Sequence, residues 1–181
     1  MLITDDIINS FEDEELRFQI LRLSRYGAYC ELTRNNTMNF YDLMLNVKGV
    51  DAIHDFYKVF DGGHIFDTDI FKSLGSGVGL FNLMVDDDDD EDEDDESFTV
   101  TDADDDDFRE RFGIPENYVC FAKSSTGNFY CVDKKKFTTS IYEWDVELGE
   151  VIEVWTNFAQ WLKNEIDLAE IDIEDGNLRP R

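Results

Sequence analysis

Tyr118 to Lys123 and Asn128 to Val132 are two short, largely apolar runs joined by Ser124-Ser125-Thr126-Gly127, and a chain holding them is committed to an antiparallel hairpin. Pairing about that four-residue turn sets Cys120 opposite Cys131 and Phe121 opposite Tyr130. Residues on both faces of the two runs are apolar, so the hairpin is expected at the centre of the fold rather than at its rim. Ile65-Phe66, Ile70-Phe71 and Leu80 to Val85 read as further brief strands between Gly, Ser and Asp turn residues, and Ser140 to Asp145 as another after the hairpin.

Helical periodicity brackets these strands. Ile53, Phe56, Tyr57 and Phe60 recur at i, i+3, i+4 and i+7, which predicts a helix with Asp51 as its cap and Asp61-Gly62-Gly63 as its stop. Ile7, Phe11, Phe18, Leu21 and Arg25 step round one side of a second helix over Ile7 to Arg25. Near the end, Thr156 is the expected cap of a helix that carries Phe158, Trp161, Leu162 and Ile166 on one face. Helices, then a meander, then a helix predict an α+β fold: a twisted antiparallel or mixed sheet with helices packed on one side.

At 181 residues one domain is expected, spanning 1–181, with an N-terminal helical segment over about 1–49. A hydrophobic fraction of 42% and an aromatic fraction of 14% exclude a disordered chain. The longest apolar run, Gly79 to Val85, is far too short to cross a bilayer, and the first residues lack the basic start and apolar core of a secretory signal, so a cytoplasmic protein without membrane contact is expected. Cys30, Cys120 and Cys131 form no CxxC pair and no even framework, and are expected to be three packing thiols in a reducing compartment.

The formal net charge is −27, from 43 acidic and 16 basic side chains. Asp86 to Glu96 is eleven acids in succession and Asp102 with Asp104 to Asp107 adds five, so a mobile acidic insert is expected over about 86–107. Without those sixteen acids the charge is still −27 + 16 = −11, so the rest of the chain is acidic as well. Such a surface repels nucleic acid and anionic lipid and attracts basic proteins.

Chemistry finds little foothold. His54 and His64 stand beside no recognisable Ser or Cys nucleophile motif, so no enzyme is expected. Gly75-Ser76-Gly77-Val78-Gly79 has Leu80 where a dinucleotide loop needs its third glycine, and no Gly-Lys-Ser/Thr follows. A calcium loop begun at Asp86 would put Glu91 at the turn glycine and Ser97 at the closing glutamate. No cofactor and no metal are expected.

Three segments stand in order: Phe56 to Gly63, an aromatic helix ending in Asp-Gly-Gly; Ile114-Pro115 through Ala122 and Gly127 through Asp133, a proline-led strand, turn and returning strand; and Ile141-Tyr142-Glu143-Trp144-Asp145 followed by Trp155 to Leu162. Together they resemble the SUKH superfamily, which includes bacterial immunity proteins and a fungal cell-wall synthesis regulator. The resemblance covers about Val50 to Ile166 without the acidic run, with Asp61 in place of the usual Asn and Thr156 in place of the usual Ser. It implies a twisted sheet with packed helices, no catalytic apparatus, and a partner protein, most often a toxin that a bacterial member neutralises. A basic toxin domain, possible nucleases included, is the expected partner; the alternative is a regulatory adaptor that binds signalling or cell-wall synthesis proteins. Gly62, Gly63, Pro115, Gly127, Trp144, Phe158 and Trp161 are expected to be structural, and Asp67, Asp69, Glu143, Asp145 and Glu147, on strands or turns, are the candidates for partner binding.

Overall fold

The computed structural model describes residues 3–35, 53–72, 100, 106–135 and 139–180. In chain order these form α1 (Asp5–Ile8), α2 (Glu14–Leu23), a 3-10 turn (Ser24–Tyr26), β1 (Cys30–Arg34), α3 (His54–Val59), β2 (Phe60–Ile65), β3 (Thr68–Ile70), α4 (Asp106–Phe112), β4 (Tyr118–Ser124), β5 (Phe129–Asp133), β6 (Ile141–Asp145), β7 (Glu150–Trp155) and α5 (Phe158–Glu174). The described strands form one seven-stranded sheet in the order β1-β2-β3-β4-β5-β6-β7, every neighbouring pair antiparallel. The α+β class therefore holds, as a wholly antiparallel meander. Its central strand is β4, so the hairpin read from the sequence does lie in the middle.

Neighbouring residues on a strand point to opposite faces, and β5 shows what covers each. Tyr130 meets the ring of Trp161 on α5 at 5.2 Å, whereas Phe129 meets Phe108 and Phe112 of α4 at 5.3 and 4.8 Å. The layer of helices lies on the α5 face, where Phe56 of α3 packs on Phe158 at 5.0 Å and Phe11 on Phe60 at 6.0 Å. The short α4 adds cover on the other face. Phe56, Tyr57, Phe60, Phe121, Phe129 and Trp161 are fully buried, and this aromatic core joins both faces of the sheet.

Helix ends follow their caps. Asp13 accepts from Leu16 N at 2.7 Å to open α2, with Glu14 and Glu15 in the first turn, where the helix dipole favours acids. At α5 the cap is Asn157, accepting from Gln160 N at 2.8 Å, and not Thr156, which is exposed. Arg22 of α2 then donates to Asp167 at 2.7 Å and Glu170 at 3.0 Å of α5, so the two helices lie side by side.

Several local expectations change. The N-terminal periodicity places Phe18 and Leu21 inward, yet they are 58% and 40% exposed; α2 is a separate helix from α1, and its buried face is Leu16, Gln19, Ile20 and Leu23. Gly62 and Gly63 do not end a helix but lie within β2, after α3 has stopped at Val59. A Cβ on Gly62 would sit 2.6 Å from the Phe71 carbonyl oxygen, and one on Gly63 would strike the Glu31 carbonyl of β1. Their φ values of +75° and +129° also lie where other residues are strained. In the central hairpin Cys120 does face Cys131, but a bulge follows and Ala122, not Phe121, pairs with Tyr130. Cys120 and Cys131 are joined by a disulfide, Cα–Cα 3.9 Å, in place of two of the three expected thiols, because the register puts them directly across the ladder. Cys30 is free and half-buried, and burial pushes its thiol up to about 11. Asp51, Leu80 to Val85 and the acidic run from Asp86 to Asp105 lie outside the described residues, while Asp106 and Asp107 open α4. Within the first 49 residues the described part holds β1 besides the helices, paired with β2.

Candidate functional site

In a meander alternate turns share one end of the sheet, so the β2–β3, β4–β5 and β6–β7 turns lie together. All five acids singled out in the sequence fall in the two outer hairpins at this end. β3 and β6 are three strand spacings apart, about 14 Å, which divides the acids into two groups.

In the first group Asp67 is exposed in the β2–β3 turn, next to Phe66, whose φ of 53° is held by its N–H on Tyr29 O at 2.9 Å and by the Tyr26 ring at 5.7 Å. Asp69 is exposed on β3 and pairs with Nδ1 of His64, its cross-strand neighbour on β2. Asp69 is therefore already engaged with a titratable partner.

The second group is different. Glu143 is half-buried on β6, directly across from Glu153 on β7, with Asn128 Nδ2 donating to its Oε1 at 2.9 Å. Burial raises the pKa of its carboxyl, the Asn128 hydrogen bond opposes the shift, and repulsion from Glu153 and Asp145 adds to it. Asp145 ends β6 and accepts from Leu148 N at 2.8 Å, which shapes the turn; Glu147 and Glu150 are exposed on either side of Gly149. The ion pairs of the described residues lie elsewhere, and Glu143, Asp145, Glu147, Glu150 and Glu153 have none. Like charges on adjacent strands repel, so this hairpin carries unfavourable energy that a cation from outside would relieve.

Behind it stands a buried carboxyl. Glu165 of α5, 8% exposed, accepts from Thr68 Oγ1 at 2.6 Å and from Tyr130 OH at 3.0 Å. Burial raises its pKa against those two hydrogen bonds, with Glu143 and Glu153 adding to the shift, and burial beside Glu165 and Glu143 holds the Tyr130 phenol protonated. Lys123 of β4, across from Asp69, is a cation at this sheet end, but among the described residues none pairs with the β6–β7 acids, and that hairpin is suited to receiving cationic side chains.

Neither β7 nor Glu165 was among the sequence candidates. Glu150-Val151-Ile152-Glu153-Val154-Trp155 after Leu148-Gly149 carries a β-branched strand signal, and Glu165 falls in the apolar stripe of α5 four residues after Trp161, a place where a carboxylate stands out. Of the residues expected to be structural, Gly127 lies between β4 and β5 at φ +91°, the Pro115 carbonyl accepts from Tyr118 N at 2.9 Å ahead of β4, and Trp144 donates to Phe112 O at 3.2 Å. Phe158 and Trp161 are core.

The sequence profile described as the SMI1 / KNR4 family (SUKH-1) matches residues 50–164, from just ahead of α3 into α5. The chain belongs to the SMI1 / KNR4 family, SUKH-1. No curated protein matches it significantly. The SUKH-1 match takes in β2 to β7 and hence both acidic hairpins. α1, α2 and β1 lie outside it, yet β1 extends the SUKH-1 sheet through β2 and α2 is tied to α5 through Arg22. Among the described residues no helix is long and apolar enough to cross a membrane.

Proposed function

We propose that this SUKH-1 chain is a non-enzymatic binding domain, an immunity protein that holds a basic toxin domain inactive by occupying its cationic surface. One observation carries the reading: five carboxylates on the β6–β7 hairpin have no cationic partner while Glu143 among them is half-buried and repelled by its neighbours. A surface arranged in this way gains most from an opposite charge supplied by another molecule, and it speeds the encounter with a basic one. Membership of the family supports a binding role, and the net charge of −27 supports the sign of the partner.

The test is co-expression with the product of the neighbouring gene in a susceptible cell, scored by survival and by pull-down. Survival with a stable complex is expected. Cell death without a complex removes the immunity reading and leaves the regulatory adaptor in its place.

A further inference from the structure

β7 is the last strand of the sheet, and nothing among the described residues pairs with its outer side. An edge strand presents a row of backbone N–H and C=O groups that another strand can complete, and proteins commonly blunt such edges with Lys, Pro or a covering segment. From Val146 to Trp155 there is no Lys and no Pro, and the ladder to β6 is interrupted by a bulge at Ile152, which has no partner residue on β6. Instead Ile152 is 46% and Val154 55% exposed, Leu148 in the adjoining turn is 66% exposed, and the charges beside them are Glu147, Glu150 and Glu153. The edge thus offers β-branched side chains, open backbone groups and acid of one sign.

We infer that the outer edge of β7 receives an extended strand of a basic partner protein, one that alternates Lys or Arg with small apolar residues, and adds it to the sheet as an eighth strand. A second copy of this chain is the poorer occupant, because two β7 edges would bring Glu150 and Glu153 of both copies together on molecules of charge −27. An incoming strand with basic side chains answers each feature at once: its backbone completes the ladder, its apolar residues cover Ile152 and Val154, and its cations meet Glu150, Glu153 and Glu147. The six residues of β7 span about 20 Å, room for a strand of the same length. This inference rests on the basic-partner reading above and adds to it the mode of recognition.

The experiment titrates the ¹⁵N-labelled full chain with three ten-residue peptides and reads amide shifts and amide hydrogen exchange. The first alternates lysine and valine, the second is the same peptide N-methylated at alternate backbone nitrogens, and the third alternates glutamate and valine. The lysine–valine peptide is expected to bind at least tenfold more tightly than its N-methylated form and to slow exchange at alternate β7 amides, while Val154→Lys, which keeps its melting temperature, loses at least tenfold in affinity. Equal binding of the methylated peptide, or protection elsewhere than β7, overturns edge pairing and leaves the basic-partner reading standing. Binding of the glutamate–valine peptide as tightly as the lysine–valine one, or of none of the three, overturns both. β7 protection that appears with protein concentration and no peptide puts a second copy on the edge and overturns the proposal.

Discussion

At the scale of single residues, the clearest constraints are places where an atom has no room or a charge has no partner. Gly63 is both backbone-strained for any other residue and pressed against β1, whereas Gly27, at φ −56° with nothing within 4 Å of an added Cβ, is neither. Gly63→Ala is expected to cost on the order of 3 kcal/mol or more and Gly27→Ala nothing, in denaturant melts of the two variants side by side. Glu165 gives the pH counterpart. Its carboxyl is raised above the ordinary 4.5, chiefly by burial, so the folded state holds the proton more tightly than the unfolded one. Its contribution is then fully present below about pH 4.5 and is lost as pH rises through the raised value. Glu165→Gln keeps an acceptor for the Thr68 and Tyr130 hydroxyls and carries no charge, so its stability should fall less than that of the wild type between pH 4.5 and neutrality. Parallel slopes in urea melts across that range would show that Glu165 is not the group responsible.

At the scale of elements, local signals fixed the period and the neighbours fixed the face. The apolar spacing over Ile7 to Arg25 fits more than one stripe on a helical wheel, and what chose Leu16, Ile20 and Leu23 was the docking of α2 beside α5 through Arg22. The same pair of helices makes Asn157 more than a cap, since its Nδ2 donates to Glu15 Oε2 at 3.3 Å while its Oδ1 takes the Gln160 N–H. Asn157→Ala should cost about 1–2 kcal/mol by thermal melting and Thr156→Ala close to none. The reverse order would return the cap to the position the sequence suggested.

At the scale of the molecule, charge decides how partners are met. With −27 on the chain, long-range attraction speeds a basic partner's approach, and physiological salt, with a Debye length of about 8 Å, already screens much of it. Association with the co-expressed partner should slow strongly as salt rises while dissociation changes less, measured by stopped flow or surface resonance. Charge reversal is best placed at Glu147 and Glu153, which are exposed, because Asp145 shapes its turn and Glu143 is tied to Asn128. Glu147→Lys with Glu153→Lys should weaken the complex at least tenfold, and more than neutralising the same number of acids within Asp86 to Glu96. A larger effect from the acidic run would move the contact off the sheet.

The amino-acid sequence by itself determined what depends on near neighbours: the α+β class, the central Cys120–Cys131 hairpin, the buried stripe Phe158, Trp161, Leu162 and Ile166, and the family resemblance that residues 50–164 bear out. Periodicity and turn chemistry act over a few residues, so they survive without the fold. Tertiary structure alone decided what depends on who stands across the sheet. It put Gly62 and Gly63 inside β2 against Phe71 and Glu31, and shifted Phe121 out of register with Tyr130. It buried Glu165 between Thr68 and Tyr130, and left β7 as the edge with its acids unpaired. Those outcomes arise from contacts between residues far apart in the chain, where packing and register, not local propensity, set the energy.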